Sequence, residues 1–323
     1  MGLFRHATLC VAAGAFATPL AAQHAEPLHI RNLNPVVAIF GLPAWDVPAP
    51  GTAVGASVEV ANHFRFSLRG SDLLILDGET VRTNLSVEHG FANGWAIGAE
   101  IPYYRIGGGV LDDLIDGWHS AFGLPDGGRN NRPEGELSFE LADRNGPFLG
   151  FTAPQSGVGD VQLKAARPFG RDGRFVVQGT VKLATGDAAS LTGSGSVDVG
   201  LTLLRTQALP GRPRPAGYYW GLGVLRVGEP DRIAFAAESL VYTAVVGGSW
   251  QPWPKFGLKA QLDFHSAFFN TQLEELGEDA IQATLGAWRP AGRRGTVEFA
   301  LVEDLEVSTA PDVVLQVAAK WHW

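Results

Sequence analysis

The sequence predicts an all-β fold, a transmembrane antiparallel β-barrel of about twelve strands with short periplasmic turns and long extracellular loops. Three observations predict it. Apolar and polar residues alternate over segments of about ten residues, the length that crosses a bilayer with tilt. Short and long connections between these segments take turns along the chain. The closing stretch, DVVLQVAAKWHW, puts Val313, Leu315, Val317, Ala319, Trp321 and Trp323 on one face, because successive strand side chains point to opposite sides.

The first element is a leader. MGLFRHATLCVAAGAFATPLAAQ has a basic start at Arg5, an apolar stretch from about Ala7 to Ala17, and small residues before Gln23. Residues 1–22 are therefore expected to be a signal peptide, cleaved near Ala22, on a chain bound for the outer membrane. The single cysteine, Cys10, precedes most of the apolar stretch, whereas a lipid-modified cysteine would follow it. The mature chain thus carries no thiol for a disulfide framework or a thiolate metal site. No later stretch approaches the ~20 apolar residues of a membrane helix. A formal charge of −8 with no basic run argues against a nucleic-acid partner.

Residues 23–52 form a Pro-rich segment without periodicity, suited to a plug or a periplasmic lead-in; residues 53–323 are expected to be the barrel, with a large loop at 105–156. The first strand sets Val58, Val60, Phe64, Phe66 and Leu68 against Glu59, Ala61, His63, Arg65 and Ser67. TVRTNLSVEH sets Val81, Leu85 and Val87 against Arg82, Asn84, Ser86 and Glu88, and GWAIGAEIPY sets Ile97, Ala99 and Ile101 against Glu100 and small residues. The same alternation runs through GDVQLKAARPF, RFVVQGTVKLATG, SVDVGLTLLRT, AGYYWGLGVLRVG, SLVYTAVVGGSWQPW, KFGLKAQLDFH, AIQATLGAWRP and RGTVEFALVED. Two stretches, around Gly221 and Gly247, show no polar face.

Tight links are expected at Asn93-Gly94, Arg171 to Gly173, Pro210 to Pro215, Pro252 to Pro254 and Ala291 to Arg293. Long ones fall at Gly70 to Gly78, Arg105 to Ser156, Gly186 to Gly195, Gly228 to Glu238, Ala267 to Glu278 and Leu305 to Pro311. This alternation places both mature ends in the periplasm. Phe91 and Trp95, Phe169 and Phe175, and Trp253 and Phe256 flank tight links, as an interfacial aromatic girdle does. A secreted β-sandwich also alternates, but nothing in it requires link lengths to alternate. Trp321 and Trp323 complete a terminal strand that resembles the signal recognised by the barrel assembly machinery.

With the apolar faces turned to lipid, the opposite faces line the lumen: Glu59, Arg65, Arg82, Glu88, Glu100, Asp160, Lys164, Lys182, Asp198, Lys259, Asp263, His265, Glu298 and Lys320, with Gln162, Gln178 and Gln261 between them. About twelve strands enclose much less space than the 16 to 18 of open porins. Long side chains of both signs suit a largely occluded lumen with a narrow path; an open channel and a non-conducting barrel are the other two states. Within the large loop, Leu111, Leu114, Ile115, Trp118 and Phe122 recur at helical spacing, and a helix there would serve as a lid or pack on neighbouring loops. ELSFELADRNGPFLGF, after it, suits a small hairpin.

Catalytic patterns are weak. His265 and Ser266 are neighbours on a strand and point to opposite faces, which separates a serine from its base, and WHSAF at His119-Ser120 has no further support. His63, His89, His265 and His322 lie on separate strands without ligand spacing, so no metal and no cofactor is expected. The glycine runs lack the lysine of a phosphate loop.

RNLNPVVAIFGLP, LDGETVR, GGGVLDDLIDGWHSAFGLPDGGR, GVGDVQL and APDVV together resemble the domain-of-unknown-function family numbered 3187, of Gram-negative bacteria, over nearly the whole mature chain. The shorter GVGDV and LATGD are similar to outer-membrane transporters associated with phenol meta-cleavage pathways. The resemblance implies an outer-membrane barrel passing small, including apolar, molecules, and assigns no active residue. The expected function is passive transport. An outer-membrane lipid-modifying enzyme and a non-conducting structural or interaction barrel are the alternatives. Expected partners are outer-membrane lipid, the barrel assembly machinery and a small-molecule permeant of unknown identity.

The link pattern yields a topological prediction. Cysteines placed singly at residues 93 and 190 of the otherwise thiol-free mature chain should differ towards an impermeant thiol reagent on whole cells: residue 190 labels and residue 93 does not. The reverse pattern would invert the orientation.

Overall fold

In a computed structural model of the chain, residues 26–109, 135–170, 173–305, 309–311 and 313–323 are described. Its strands are β1 (Gly51–Arg69), β2 (Asp72–Gly90), β3 (Ala96–Gly107), β4 (Ser138–Asp143), β5 (Gly146–Phe151), β6 (Gln155–Val158), β7 (Gln162–Phe169), β8 (Phe175–Lys182), β9 (Asp198–Ala208), β10 (Ala216–Arg226), β11 (Leu240–Trp253), β12 (Phe256–His265), β13 (Ala280–Ala291), β14 (Gly295–Asp304) and β15 (Val313–His322). Two single-turn helices, α1 (Pro35–Ala38) and α2 (Glu274–Gly277), complete the regular structure. No helix among the described residues is long and apolar enough to cross a membrane.

Pairing runs β1-β2-β3-β7 through β15 and back to β1, a closed antiparallel barrel of 12 strands. Closure removes every barrel edge, so each wall strand has a hydrogen-bonding neighbour on both sides. At the seam β1 meets β15 from Ala53 opposite His322 to Asn62 opposite Val313. Trp323 extends it: its N–H donates to the Thr52 carbonyl at 2.8 Å and its carbonyl accepts from Thr52 N–H at 3.3 Å.

One finding differs from the sequence reading. Gly70 to Gly78 is not a loop, because β1 and β2 are each 19 residues long and turn at Gly70-Ser71, so the hairpin continues past the barrel rim. Alternating apolar residues in SLRGSDLLIL carry the strand period through the turn, and Gly70 adopts φ 62° there. ELSFELADRNGPFLGF does form a hairpin, β4-β5, and it pairs with the projecting part of β2, adding no strand to the barrel. The lid residues Leu111, Leu114, Ile115, Trp118 and Phe122 lie outside the described residues, as does the leader.

Side chains sort by face. Outward positions are exposed and apolar, as at Leu85, Leu201, Leu222, Leu285 and Phe299, while inward positions are buried and largely polar, as at Glu59, Gln178, Thr202, Gln261 and Gln316. This is the inverse of a water-soluble barrel, whose outer face would be the polar one. Aromatics collect at the tight-turn end, where Trp95, Phe169, Trp253, Trp321 and Trp323 are all exposed.

The Trp323 contacts make a prediction about assembly. Deleting Trp323 removes the seam's last backbone rung, and changing it to Ser keeps that rung but removes the exposed terminal aromatic; either change should sharply lower the amount of heat-modifiable barrel in the membrane fraction while export continues. An unchanged amount would remove Trp323 from any part in assembly.

Candidate functional site

The interior is occupied by the chain's own residues 26–50. Their course is fixed by contacts with the wall. Glu26 meets Lys320 near the tight-turn end at 3.0 Å, the Leu28 backbone is held by Gln261, and the His29 carbonyl accepts from Gln316. Asn32 and Asn34 reach the Thr309 carbonyl near the long-loop end. There the chain makes α1, with Asn34 capping Val36 N–H and Pro35 at the start of the helix. The segment then turns back: Gly41 N–H donates to Asp198, Gln178 donates to the Ala44 carbonyl, and Pro50 bridges to Gly90 before β1 begins.

Small residues on the segment and on the wall make this passage possible. A Cβ on Gly41 would lie 2.8 Å from the Lys182 Cβ, so only glycine passes there. A Cβ on Gly221 would meet the Trp45 ring at 2.6 Å, and one on Gly286 would meet Leu28 at 2.6 Å. The stretches around Gly221 and Gly247 lack a polar inward face for this reason: Trp45 lies on the first and Tyr219 on the second.

Three clusters organise the polar interior. In the first, Lys182 Nζ contacts Asp160 at 2.8 Å, Asp198 at 3.2 Å, the Ile39 carbonyl at 3.1 Å and the Ser194 hydroxyl. Asp160 also accepts from the N–H groups of Thr185, Gly186 and Ser194, which folds the long 183–197 link over the barrel rim. A bulge aims it: Gly159, Asp160 and Val161 face only Ile101 and Pro102 between the Tyr103–Val158 and Glu100–Gln162 pairs. The motifs GVGDV and LATGD are thus the two halves of one junction. On the same link, the Ser190 hydroxyl and the Ala189 N–H hold the exposed Asp187 carboxyl below the usual range.

The second cluster crosses from wall to inner segment. Arg82 pairs with Glu59 at 3.0 Å and Glu100 at 3.6 Å; Glu100 pairs with Arg31 and Lys164, each at 3.3 Å; Lys164 binds Asp46 at 2.6 Å, and Asp46 meets His29 at 3.2 Å. Glu88 stands 3.8 Å from Lys164, and Lys259 pairs with Glu298 at 2.5 Å. These groups border a cavity of about 90 Å³ in the tight-turn half, whose lining includes both members of the Lys320–Glu26 pair. Charges of both signs and that volume suit a water-filled space.

In the third cluster Gln261 serves as a clamp. Its Oε1 accepts from Leu28 N–H and the Tyr219 hydroxyl, and its Nε2 donates to the Leu28 carbonyl and to Asp263. His265 Nε2 faces Asn32 at 2.9 Å, and its Nδ1 faces the Ser266 carbonyl. The Ser266 hydroxyl instead accepts from Tyr242 N–H, so the two side chains are not a bonded serine–histidine pair. Arg65 is half-buried at the long-loop end, beside Asn34 and Ala310. Among the described residues no group of three or more His, Cys, Asp or Glu could hold a metal ion.

The long-loop end is closed by apolar packing. Val36, Val37, Ile39 and Phe40 of the inner segment join Leu74, Phe139, Leu141, Phe268, Phe269 and Leu276 in one buried cluster, with Phe40 stacked on Phe268 at 4.7 Å between centroids. The sequence reading gave no role to Asn32, Asn34, Trp45, Asp46 or Tyr104, all of which face the interior. For Asn32, Asn34 and Asp46 the signal was polar residues embedded in an apolar, unperiodic run, RNLNPVVAIFGLPAWD, which also holds Trp45; Tyr104, on β3, gave none.

The family described as "Protein of unknown function (DUF3187)" matches residues 4–323, and the chain belongs to it. No curated protein matches the chain. Among solved structures, it is similar to the NanC porin, at 9% identity and a TM-score of 0.45, over 84% of this chain and 100% of that one. It is also similar to the Ralstonia pickettii toluene transporter TbuX, at 8% identity and TM-score 0.40, over 85% and 90% of the two chains. The P. putida toluene transporter TodX matches at 10% identity and TM-score 0.39, over 85% and 91%.

The Lys182 junction gives a stability prediction. Lys182→Met leaves Asp160 and Asp198 buried without their cation and should cost about 3–5 kcal/mol, the usual penalty for removing one partner of a buried pair. Urea unfolding of the vesicle-inserted protein measures it. A change below about 1 kcal/mol, the worth of an exposed pair, would mean that the junction is solvated.

Proposed function

We propose that this member of the DUF3187 family spans the outer membrane and passively conducts small molecules through its lumen when the segment 26–50 shifts. One observation carries the reading: the lumen is filled by a separate stretch of chain rather than by the wall. Wall side chains lie flat, Tyr219 over Gly247 and Trp288 over Gly257, which leaves the cross-section to the segment. A barrel serving only as an anchor has no need of such hollowing; its inward residues would interlock, as in small filled barrels. The segment is held by hydrogen bonds and ion pairs, which water can replace, around a hydratable cavity. The membrane span is supported by the exposed apolar wall and the aromatics at its tight-turn end.

The two ends set the class of permeant. An apolar cluster closes the long-loop end and a charged cavity opens the other, so a small, uncharged molecule is the kind that both can pass. Among the described residues, His265 and Ser266 are engaged with other groups and lend the enzyme reading no support.

Planar-bilayer recording tests the proposal. The intact chain should show small or rare openings, and removal of residues 27–48 should give a steady conductance several-fold larger. Should that deletion fail to fold, Gln261→Leu, which frees Leu28 but keeps the segment, should raise the open fraction. Heat-modifiable protein that stays electrically silent in both forms would overturn conduction and leave a structural barrel.

A further inference from the structure

The tight-turn rim carries a charge opposite to that of the whole chain. The formal charge is −8, yet the described turns at that end hold only basic residues. Arg212 and Arg214 are exposed between β9 and β10, Lys255 between β11 and β12, and Arg293 and Arg294 between β13 and β14. No Asp or Glu occurs in residues 89–95, 205–216, 250–257 or 289–296, and the remaining tight link, 170–174, carries Asp172 with Arg171 and Arg174 in its sequence, a net basic turn. Acidic residues gather instead on the long-loop side, at Glu136, Asp187, Asp231, Glu274 and Asp279 among others. Arg212, Arg214, Lys255, Arg293 and Arg294 form no ion pair with a described residue. In the sequence these residues are scattered one or two to a turn, so no basic run announces them; barrel closure brings them into a ring.

Their depth is set by aromatics. Arg167 lies over the Trp95 ring, 5.3 Å from its centroid, and Arg205 lies 5.1 Å from that of Phe175. Trp95, Phe169, Trp253 and Trp321 are exposed at the same end. Interfacial tryptophans sit at headgroup level, so guanidiniums stacked on them face the phosphates of the adjoining leaflet. We infer that the tight-turn rim is a binding surface for anionic phospholipid headgroups of the periplasmic leaflet. The inference rests on the membrane-spanning reading. Planar guanidiniums match phosphate oxygens in bidentate fashion, and a ring of them favours lipids with net negative charge over zwitterionic ones.

The test uses the full mature chain in vesicles of phosphatidylcholine alone or mixed with phosphatidylglycerol, either lipid carrying brominated acyl chains that quench girdle tryptophans. At about 0.1 M salt brominated phosphatidylglycerol should associate at least about threefold more strongly than brominated phosphatidylcholine. The preference should fall towards one at about 1 M salt, where the screening length is about 3 Å. The combined variant Arg212→Gln, Arg214→Gln, Arg293→Gln, Arg294→Gln should lose most of it while remaining heat-modifiable, because these residues are exposed in turns. Equal quenching by the two lipids, or an undiminished preference in the variant, would overturn the inference. Loss of preference on adding inorganic phosphate, beyond that from chloride of equal ionic strength, would show a site for free phosphate and overturn the lipid assignment. Heat-modifiability and tryptophan quenching by phosphatidylcholine report insertion separately, so failure to insert at all counts against the membrane reading rather than against this surface.

Discussion

A closed wall with an apolar outside must put its polar side chains inside, and there each needs a partner, because an unmet polar group in a dry interior costs several times what a typical hydrogen bond contributes. Residues 26–50 supply those partners. Arg31 reaches Glu100 and Gln162 on opposite sides of the β3–β7 pairing, Asp46 reaches Lys164, Asn32 reaches His265, and backbone groups at Leu28, Ile39, Gly41 and Ala44 meet Gln261, Lys182, Asp198 and Gln178. The wall's inward sequence and the inner segment's sequence are therefore one design. Either without the other would leave charges facing nothing but water or one another.

The same pairing explains why the segment keeps a defined path. Ion pairs buried in this way add little net stability, yet a displaced register leaves charges unpaired, so they select one arrangement over its neighbours. Apolar contacts alone would not. Trp45 against Gly221 and Leu28 against Gly286 accept small shifts, whereas the Gly41 turn, caught between Lys182 and Asp198, accepts none. Packing fills the space and the polar contacts fix the register.

What was legible in the sequence follows from the range of the interactions. Strand positions could be read because period-two alternation is local, and the wall obeys it from Val58 to Trp321. Gly70 to Gly78 misled because turn residues in a hairpin tip look like those of a loop, while the strand period of Leu74 and Leu76 continued beneath them. The inner segment could not be read in detail: its partners stand 69 residues away at Arg31–Glu100, 118 at Asp46–Lys164 and 233 at Leu28–Gln261, and no local pattern encodes such distances. Inward charges such as Glu59, Arg82 and Lys182 stood out as residue types on a face, but which charge meets which depended on the segment between them. The basic rim was invisible for a related reason, since it exists only once separate turns are drawn into a ring.

The two halves of the interior resist motion unequally, and this bears on how a filled barrel could conduct. At the long-loop end α1 is locked into an apolar cluster, and below it Lys182 is buried among Asp160, Asp198 and the Ile39 carbonyl. Parting those groups exposes hydrocarbon and strands a buried charge, at about 3–5 kcal/mol for the charge alone. At the tight-turn end the Lys320–Glu26 pair adjoins the cavity, so each partner that lets go is taken up by water, and such pairs hold by about 1 kcal/mol or less. In a gated barrel of this construction, movement begins where Glu26 and His29 face the cavity and propagates upward only as far as water can follow. Under the proposed conduction, the Lys182 junction is the fixed point about which the segment moves, and the apolar cluster above it is the barrier at the long-loop end.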